Sequence, residues 1–136
     1  MSNPAERDRQ REEIVKRALG GLGHGDVSGM AAAVAEDVEY RLPGSHPLAA
    51  THRGKDTFLA LVGGLLEQFD GGIHYDFHRF VVSGDTVVAT FRGTGKTVQG
   101  KDYDNQYCAL WDFDDESKVV RVTEFFDSHH VVATLL

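Results

Sequence analysis

Apolar residues recur at helical spacing in the first half of the chain. Over residues 6–22 they lie at i, i+1, i+4, i+5 and i+8 from Ile14, which is one face of an amphipathic helix. A clearer apolar stripe, that of the third predicted helix, starts at Phe58 and repeats at i+3, i+4, i+7, i+8 and i+11. Between these two, Asp26 is well suited to cap a short second helix. The first half of the sequence therefore predicts three helices.

Beyond Gly71-Gly72 the pattern changes to the two-residue alternation of β-strands. Strands are predicted over 73–82, 86–91, 103–113 and 118–126, besides a short one over 39–42 that ends before Pro43-Gly44. Residues 45–54 are predicted to form a loop, and 129–136 a terminal helix capped by Asp127 or Ser128. Helices followed by consecutive antiparallel strands indicate an α+β fold, with the helices packed on one face of a curved sheet.

Composition limits the class of protein. The chain has 136 residues, of which 41% are hydrophobic, so we expect a single domain over 1–136, with 1–10 as the frayed start of the first helix. A net charge of −7 argues against a nucleic-acid partner, because binding phosphates requires lysine and arginine. No apolar run approaches the ~20 residues of a membrane span, and the first residues do not resemble a signal peptide. With Cys108 as the single cysteine, these features predict a cytoplasmic protein with no membrane partner.

Short motifs in a fixed order carry a family resemblance. They are Gly25-Asp26, Ala35 to Tyr40, Pro43 to Leu48 with Gly54, Ser83-Gly84-Asp85, Tyr103 to Tyr107 and Glu124 to Asp127. Their order resembles the SnoaL-like branch of the nuclear transport factor 2-like (NTF2-like) superfamily, which includes ketosteroid isomerases, limonene epoxide hydrolases and polyketide cyclases. The likeness extends from about Arg11 to Val132.

The resemblance implies a cone-shaped, cystatin-like α+β barrel in which a curved antiparallel sheet wraps around the N-terminal helices. It also implies an apolar pocket between helices and sheet, and a homodimer that pairs through the outer face of the sheet. The fold alone does not assign a function, because this architecture supports unrelated chemistries.

The catalytic residues of two branches are not retained. Where ketosteroid isomerases have an aspartate base and a tyrosine–aspartate oxyanion hole, this chain has Leu42, Ala18 and Ala109. Of the Asp-Arg-Asp set of limonene epoxide hydrolases only Asp127 has a counterpart, since the other two positions fall on Phe91 and Gly93. A polyketide-cyclase-like site with a single acid in an apolar pocket is contradicted least.

Three residues are predicted to carry such chemistry. Asp127 follows an apolar run, so burial would raise its pKa and suit a general acid or base; the alternative is a helix cap. Asn105 and Tyr107 stand two apart on one strand face, where an amide and a phenol can hold a ligand oxygen; the alternative is a cross-strand aromatic ladder.

The pocket wall is predicted from parity and from the helix stripes. Its expected members are Tyr40, His46, Phe58, Leu61, Leu65, His78, Phe91, Trp111 and Phe125. His78 would reach the pocket through a bulge near Arg79, and His46 from the loop at its mouth. The other acidic residues of 102–127, Glu124 among them, are interpreted as a solvated rim.

One strand face carries His74, Asp76 and His78 in alternation, a spacing that can present side chains to one metal ion. The opposite face, with Tyr75 and Phe77, resembles the core side, so these three residues are predicted to face solvent or a partner subunit. We therefore expect no metal and no cofactor.

The sequence thus predicts a SnoaL-like pocket protein for a hydrophobic, oxygenated small molecule. Its chemistry would be cofactor-independent acid–base catalysis of the cyclase, isomerase or hydrolase type. The alternative is a non-catalytic ligand-binding or dimeric assembly module.

Overall fold

A computed structural model describes residues 3–136. The helices are α1 (Pro4–Leu22), α2 (Ser28–Ala33), α3 (Lys55–Leu66) and α4 (Ser128–Leu135). The strands are β1 (Val34–Leu42), β2 (Ala50–Arg53), β3 (Phe69–Ser83), β4 (Thr86–Thr97), β5 (Asp102–Phe113) and β6 (Val119–Phe126). No helix in this part of the chain combines the length and apolarity required to cross a membrane.

The six strands form one curved sheet in the order β2-β1-β6-β5-β4-β3, which remains open rather than closing into a barrel. The predicted α+β class is confirmed. The sheet is not wholly antiparallel, however, because β1 and β6 run parallel, with Tyr40 opposite Val122. These two strands come from opposite ends of the chain, so no hairpin fixes their relative direction.

Three element boundaries differ from the predicted ones. Residues 50–53 form an edge strand against β1 where a loop was expected. Helix α3 ends at Leu66, and Phe69, the last member of its apolar stripe, instead begins β3 opposite Thr97. At the other end of the chain, α1 already begins at Pro4, where the Asn3 side chain accepts a hydrogen bond from the Glu6 amide at 2.8 Å. Residues 4–10 thus belong to α1, the expected fraying over 1–10 stays a prediction, and Met1 and Ser2 lie outside the described residues.

Strand β4 continues through the glycine-spaced stretch because its glycines make room for rings. A Cβ atom at Gly93 would lie 3.1 Å from both the Ile73 and the Tyr107 side chains. The Ile73 and Tyr107 side chains therefore pack directly over the strand at this point. The absence of a side chain at Gly93 thus allows close packing in the core and does not interrupt the strand.

The core lies between the concave face of the sheet and the helices. Val15, Ala18 and Leu19 of α1 are buried against it, as is Phe58 of α3. Arg11 is also buried, with only 1% of its surface exposed. Its guanidinium donates to Asp85 at 2.8 Å, to the Ser117 hydroxyl at 3.1 Å and to the Asp114 carbonyl at 3.0 Å. One side chain thereby fastens α1 to the β3–β4 and β5–β6 turns, which fixes the helix layer over the sheet.

Candidate functional site

The floor of the site is set by the register of the three central strands. Across β4, β5 and β6 the inward rows are Val87–Trp111–Val122, Ala89–Ala109–Glu124 and Phe91–Tyr107–Phe126. The outer two rows carry large side chains, whereas the middle row has two alanines beside a glutamate. Because neighbouring side chains on one face pack side by side, Glu124 has only small neighbours within its own row.

Glu124 lines a cavity of about 320 Å³. Its wall is formed by parts of β1, β5 and β6, by α3, by Pro47 and Leu48 of the loop after β1, by β2 and by α4. The lining residues are Tyr40, Leu42, Pro47, Leu48, Ala50, His52, Leu61, Leu65, Gln68, Tyr103, Tyr107, Glu124, Phe126, Val131, Leu135 and Leu136. A second hollow of about 30 Å³ lies deeper and shares Tyr40, Leu65, Tyr107 and Glu124 with the first. The site is therefore a mostly apolar pocket with a small inner end.

Glu124 is the only acidic side chain that lines the larger cavity in the described chain. Its Oε1 accepts a hydrogen bond from the Tyr40 hydroxyl at 3.2 Å. Burial raises the pKa of Glu124 to about 7, because the apolar wall disfavours its charged form, and the Tyr40 hydrogen bond only partly offsets this effect. A carboxyl group that changes charge near neutral pH is suited to transfer protons in both directions.

The tyrosines around Glu124 are neutral donors. Burial raises the pKa of Tyr103 to about 12 and raises the pKa values of Tyr40 and Tyr107 well above their usual range. The Tyr103 and Tyr107 hydroxyls are hydrogen-bonded to each other. Tyr107 stacks on Phe91 with ring centroids 4.9 Å apart, and Tyr40 stacks on Phe58 at 4.6 Å. The phenol oxygens are consequently held in place at the pocket wall.

Asn105 supports this wall from behind without lining the cavity. Its Nδ2 donates to the Tyr103 hydroxyl at 3.1 Å and to the Asp127 carbonyl at 3.1 Å, and its Oδ1 accepts from the Asp127 amide at 2.9 Å. Only 1% of its surface is exposed. The residue predicted to be catalytic is thus placed to position Tyr103 and the start of α4.

Asp127 does not line the cavity, so its predicted place as the pocket acid is wrong. The chain leaves β6 after Phe126, and Asp127 caps α4 by accepting a hydrogen bond from the His130 amide at 3.1 Å. Its side chain is exposed. The helix cap, which the sequence left as the alternative, is the role that the structure shows.

Of the remaining predicted residues, seven line a cavity and three do not. Tyr40, Leu61, Leu65 and Tyr107 line the larger cavity, and Phe58, Phe91 and Trp111 line the inner one. Phe125, His78 and His46 do not line either cavity, so those three placements are wrong.

Each of the three misplacements has a local cause. Phe125 is 48% exposed because strand alternation turns it outward between Glu124 and Phe126. His78 does sit at a bulge, but it remains exposed. His46 lies behind the rim, with its ring centroid 5.2 Å from that of Phe126 and its Nε2 3.2 Å from the Pro43 carbonyl.

His74 and Asp76 are exposed on β3, where the His74 Nε2 lies 3.1 Å from the Asp76 Oδ1. Between residues 3 and 136, no three histidine, cysteine or acidic side chains are grouped so that they could hold a metal ion.

An open, curved six-stranded sheet with N-terminal helices packed on it is an NTF2-like fold. The family model for the SnoaL-like domain matches residues 15–122. The chain therefore belongs to the SnoaL-like domain family.

Solved structures agree with this fold. Bal32a from a soil-derived mobile gene cassette superimposes with a TM-score of 0.84 at 22% identity, covering 96% of this chain and 99% of that one. A protein from Jannaschia sp. CCS1, assigned as a SnoaL-like polyketide cyclase, gives 0.83 at 17% identity, with 99% and 97% covered. An uncharacterised protein of Mycobacterium tuberculosis is 30% identical over 81 residues, which are 59% of this chain and 62% of its relative. The match thus spans less than two thirds of that relative.

The raised pKa of Glu124 predicts a pH-dependent cost to stability. The folded state binds this proton more tightly than the unfolded chain, whose carboxyl has the ordinary value of 4.5. The stability it contributes is complete below pH 4.5 and is lost as the pH rises through about 7. We expect Glu124→Gln to raise the free energy of unfolding by about 2 kcal/mol at pH 8 and to leave it nearly unchanged at pH 4.5.

Urea unfolding at the two pH values measures this difference. Glu116→Gln is the matched control, because Glu116 is exposed in the β5–β6 turn. Equal effects of Glu124→Gln at both pH values would contradict the burial of this carboxyl group.

Proposed function

We propose that this protein is a cofactor-independent acid–base enzyme for a hydrophobic, oxygen-bearing small molecule, with Glu124 as the proton-transferring group. The observation that supports it most is a carboxyl group with a pKa of about 7 in a mostly apolar cavity. Cyclisation, isomerisation and hydrolysis all need a group that accepts a proton in one step and returns it in another. The polyketide-cyclase assignment of the Jannaschia protein, which shares the fold, is compatible with such chemistry.

The surroundings of Glu124 support proton abstraction next to a carbonyl group. The Glu124 carboxylate accepts the proton from carbon, the C–H electron pair forms a C=C bond, and the carbonyl electron pair moves to oxygen. Hydrogen-bond donors fixed near that oxygen stabilise its developing charge. The hydroxyls of Tyr103 and Tyr107 line the same cavity and remain protonated at neutral pH. One of their two protons is used in the hydrogen bond between them, so the pair offers one O–H to the ligand. The proton then returns from Glu124 to the product.

The lining also restricts the substrate class. Lysine and arginine are absent from the wall of the larger cavity in the described chain, so a carboxylate or phosphate group would enter without a countercharge. A cavity of about 320 Å³ lies at the small end of the range for ligand pockets. We therefore propose small, neutral, mostly apolar carbonyl compounds as substrates.

The ketone 2-tetralone tests this function without knowledge of the natural substrate, and tetralin is the matched hydrocarbon without oxygen. We expect both to bind, and we expect the protein to accelerate deuterium uptake at the C1 position of 2-tetralone in D₂O, measured by NMR. Binding of 2-tetralone with exchange no faster than in buffer would contradict an enzymatic function and favour the alternative, a non-catalytic ligand-binding module.

We further propose that the protein is a homodimer that pairs through the outer face of its sheet. Val81, Val88 and Leu110 form an apolar row across β3, β4 and β5, and Phe125 lies opposite Cys108 in the next row. Val81 is 44% exposed and Phe125 48% exposed. A contiguous apolar patch of this kind on a sheet is typical of an interface, and a two-fold axis lets one such patch cover its own copy.

Charges at the edge of this face are compatible with a second copy of the chain. Arg92 pairs with Asp104, and Arg121 pairs with Glu39, so both signs are present. We expect Phe125→Asp to convert the dimer to a monomer in sedimentation equilibrium. Val98→Asp is the control, because Val98 is 59% exposed in the β4–β5 turn, away from the row. A wild-type monomer at micromolar concentration would contradict the proposal.

We also propose that the protein acts in the cytoplasm and has no nucleic-acid partner. A reducing compartment suits the unpaired Cys108. The net charge of −7 disfavours a phosphate backbone.

A further inference from the structure

The indole nitrogen of Trp111 is buried without a hydrogen-bond partner. Only 1% of this residue is exposed, and Nε1 contacts no acceptor in the described chain. Buried donors in folded proteins are almost always paired, with protein groups or with ordered water. The Trp111 N–H is therefore available to an acceptor from outside the polypeptide, a water or a ligand atom.

The inner cavity provides space for such an acceptor. It measures about 30 Å³ and is lined by Trp111 and Glu124, together with Tyr40, Tyr75 and Tyr107. One water molecule needs roughly 10–15 Å³ of this kind of volume and at least two polar partners. The cavity therefore fits one oxygen atom and its immediate substituents, and it is too small for a separate ligand.

The strand register places the two polar groups on either side of this space. Trp111 is paired with Val122, and Ala109 is paired with Glu124, so Trp111 and Glu124 are diagonal neighbours on the inward face. Diagonal neighbours are about 7–8 Å apart at the backbone, within the reach of long side chains. Ala109, the cross-strand partner of Glu124, adds only a methyl group to this face.

We infer that the inner cavity is an oxygen-binding site, in which one oxygen atom accepts a hydrogen bond from the Trp111 N–H and faces the Glu124 carboxyl group. That oxygen comes from an enclosed water or from the carbonyl or hydroxyl group of the ligand. In the second case Trp111 positions the reacting end of the ligand and selects oxygenated molecules over hydrocarbons. This inference rests on the proposed function for the role of Glu124, but the oxygen can be detected without turnover.

Trp111 is the only tryptophan in the chain, so its indole N–H gives a single NMR signal after ¹⁵N-tryptophan labelling. In the free protein we expect a rotating-frame Overhauser contact between this N–H and a long-lived water. The probes are again 2-tetralone and tetralin. Loss of the water contact with 2-tetralone, but not with tetralin, assigns the oxygen to the ligand in the complex. A water contact that persists with both probes assigns it to a resident water.

The variant Trp111→Phe keeps an aromatic ring and removes the donor. When the ligand supplies the oxygen, we expect the preference for 2-tetralone over tetralin, measured as the ratio of Kd values, to fall roughly five- to tenfold. A variant that only loosens packing would weaken both probes alike and leave this ratio unchanged.

An indole N–H without a water contact, whose signal responds alike to 2-tetralone and tetralin, would overturn the inference. This result is independent of the proposed function, because deuterium exchange at C1 can succeed or fail in either case.

Discussion

Glu124→Gln lowers the rate of deuterium exchange in bound 2-tetralone by roughly a hundredfold or more, because glutamine cannot accept the proton from carbon. General acid–base catalysis contributes about 10²–10⁴-fold in enzymes, which sets this expectation. Binding of 2-tetralone itself should change little, since the amide oxygen of glutamine can still accept the Tyr40 hydrogen bond that Glu124 accepts at 3.2 Å. The loss should therefore lie in the rate for the bound ketone and not in its Kd.

The pH dependence of exchange identifies the group independently. The carboxylate is the reactive form for proton abstraction, so the protein-catalysed rate should rise with pH and level off above a pKa of about 7. This profile should be lost in Glu124→Gln. Asp127→Asn is the control, because Asp127 caps α4 and does not line the cavity. A large loss of exchange in Asp127→Asn with full exchange in Glu124→Gln would reverse the assignment.

The elements predicted most reliably were those with a long local pattern. The stripe on α1 and the alternation in β5 and β6 recur within one element, so sequence spacing alone defines them. The parallel pairing of β1 with β6 was missed because it joins residues such as Tyr40 and Val122, which are 82 positions apart. The edge strand β2 was missed because its four residues are mostly exposed and carry no apolar alternation.

The sequence predicts the aromatic residues of the site correctly but does not identify its acidic residue, Glu124. Tyr107 was found because β5 alternates without interruption up to Phe113. Glu124 was interpreted as part of a solvated rim because charged residues at alternating positions usually face water. The signal that could have found it is its phase: Glu124 lies between Val122 and Phe126 at two-residue spacing, and both of these face inward.

Asp127 was chosen because it follows two phenylalanines. Proximity along the chain did not translate into burial, because β6 ends at Phe126 and the chain turns into α4. A helix start that uses the aspartate as its cap and a strand that continues through it have similar local sequences. Only the tertiary structure decides between them. Here the carboxyl group that lines the cavity belongs to Glu124, three residues before Asp127.

Asn105→Ala lowers the free energy of unfolding by about 3 kcal/mol. The substitution removes three hydrogen bonds, two to the backbone of Asp127 and one to the Tyr103 hydroxyl. Each buried polar group left without a partner costs about 1–3 kcal/mol, and water can reach only some of the groups beside the new space. Asn3→Ala is the matched control, because the exposed Asn3 makes a single cap hydrogen bond, typically worth about 1 kcal/mol. Urea unfolding of both variants measures the difference.

The same substitution should also loosen α4 and weaken ligand binding. These two effects distinguish a positioning role from general destabilisation. Asn105 holds the backbone at Asp127, where α4 begins, and Val131 and Leu135 of α4 form part of the cavity wall. In Asn105→Ala, hydrogen exchange of the α4 amides should therefore accelerate more than that of the β4 amides, and 2-tetralone should bind more weakly. Equal acceleration in both elements would show that Asn105 stabilises the fold as a whole. An unfolding cost no larger than that of Asn3→Ala would show that its three hydrogen bonds are replaced by water.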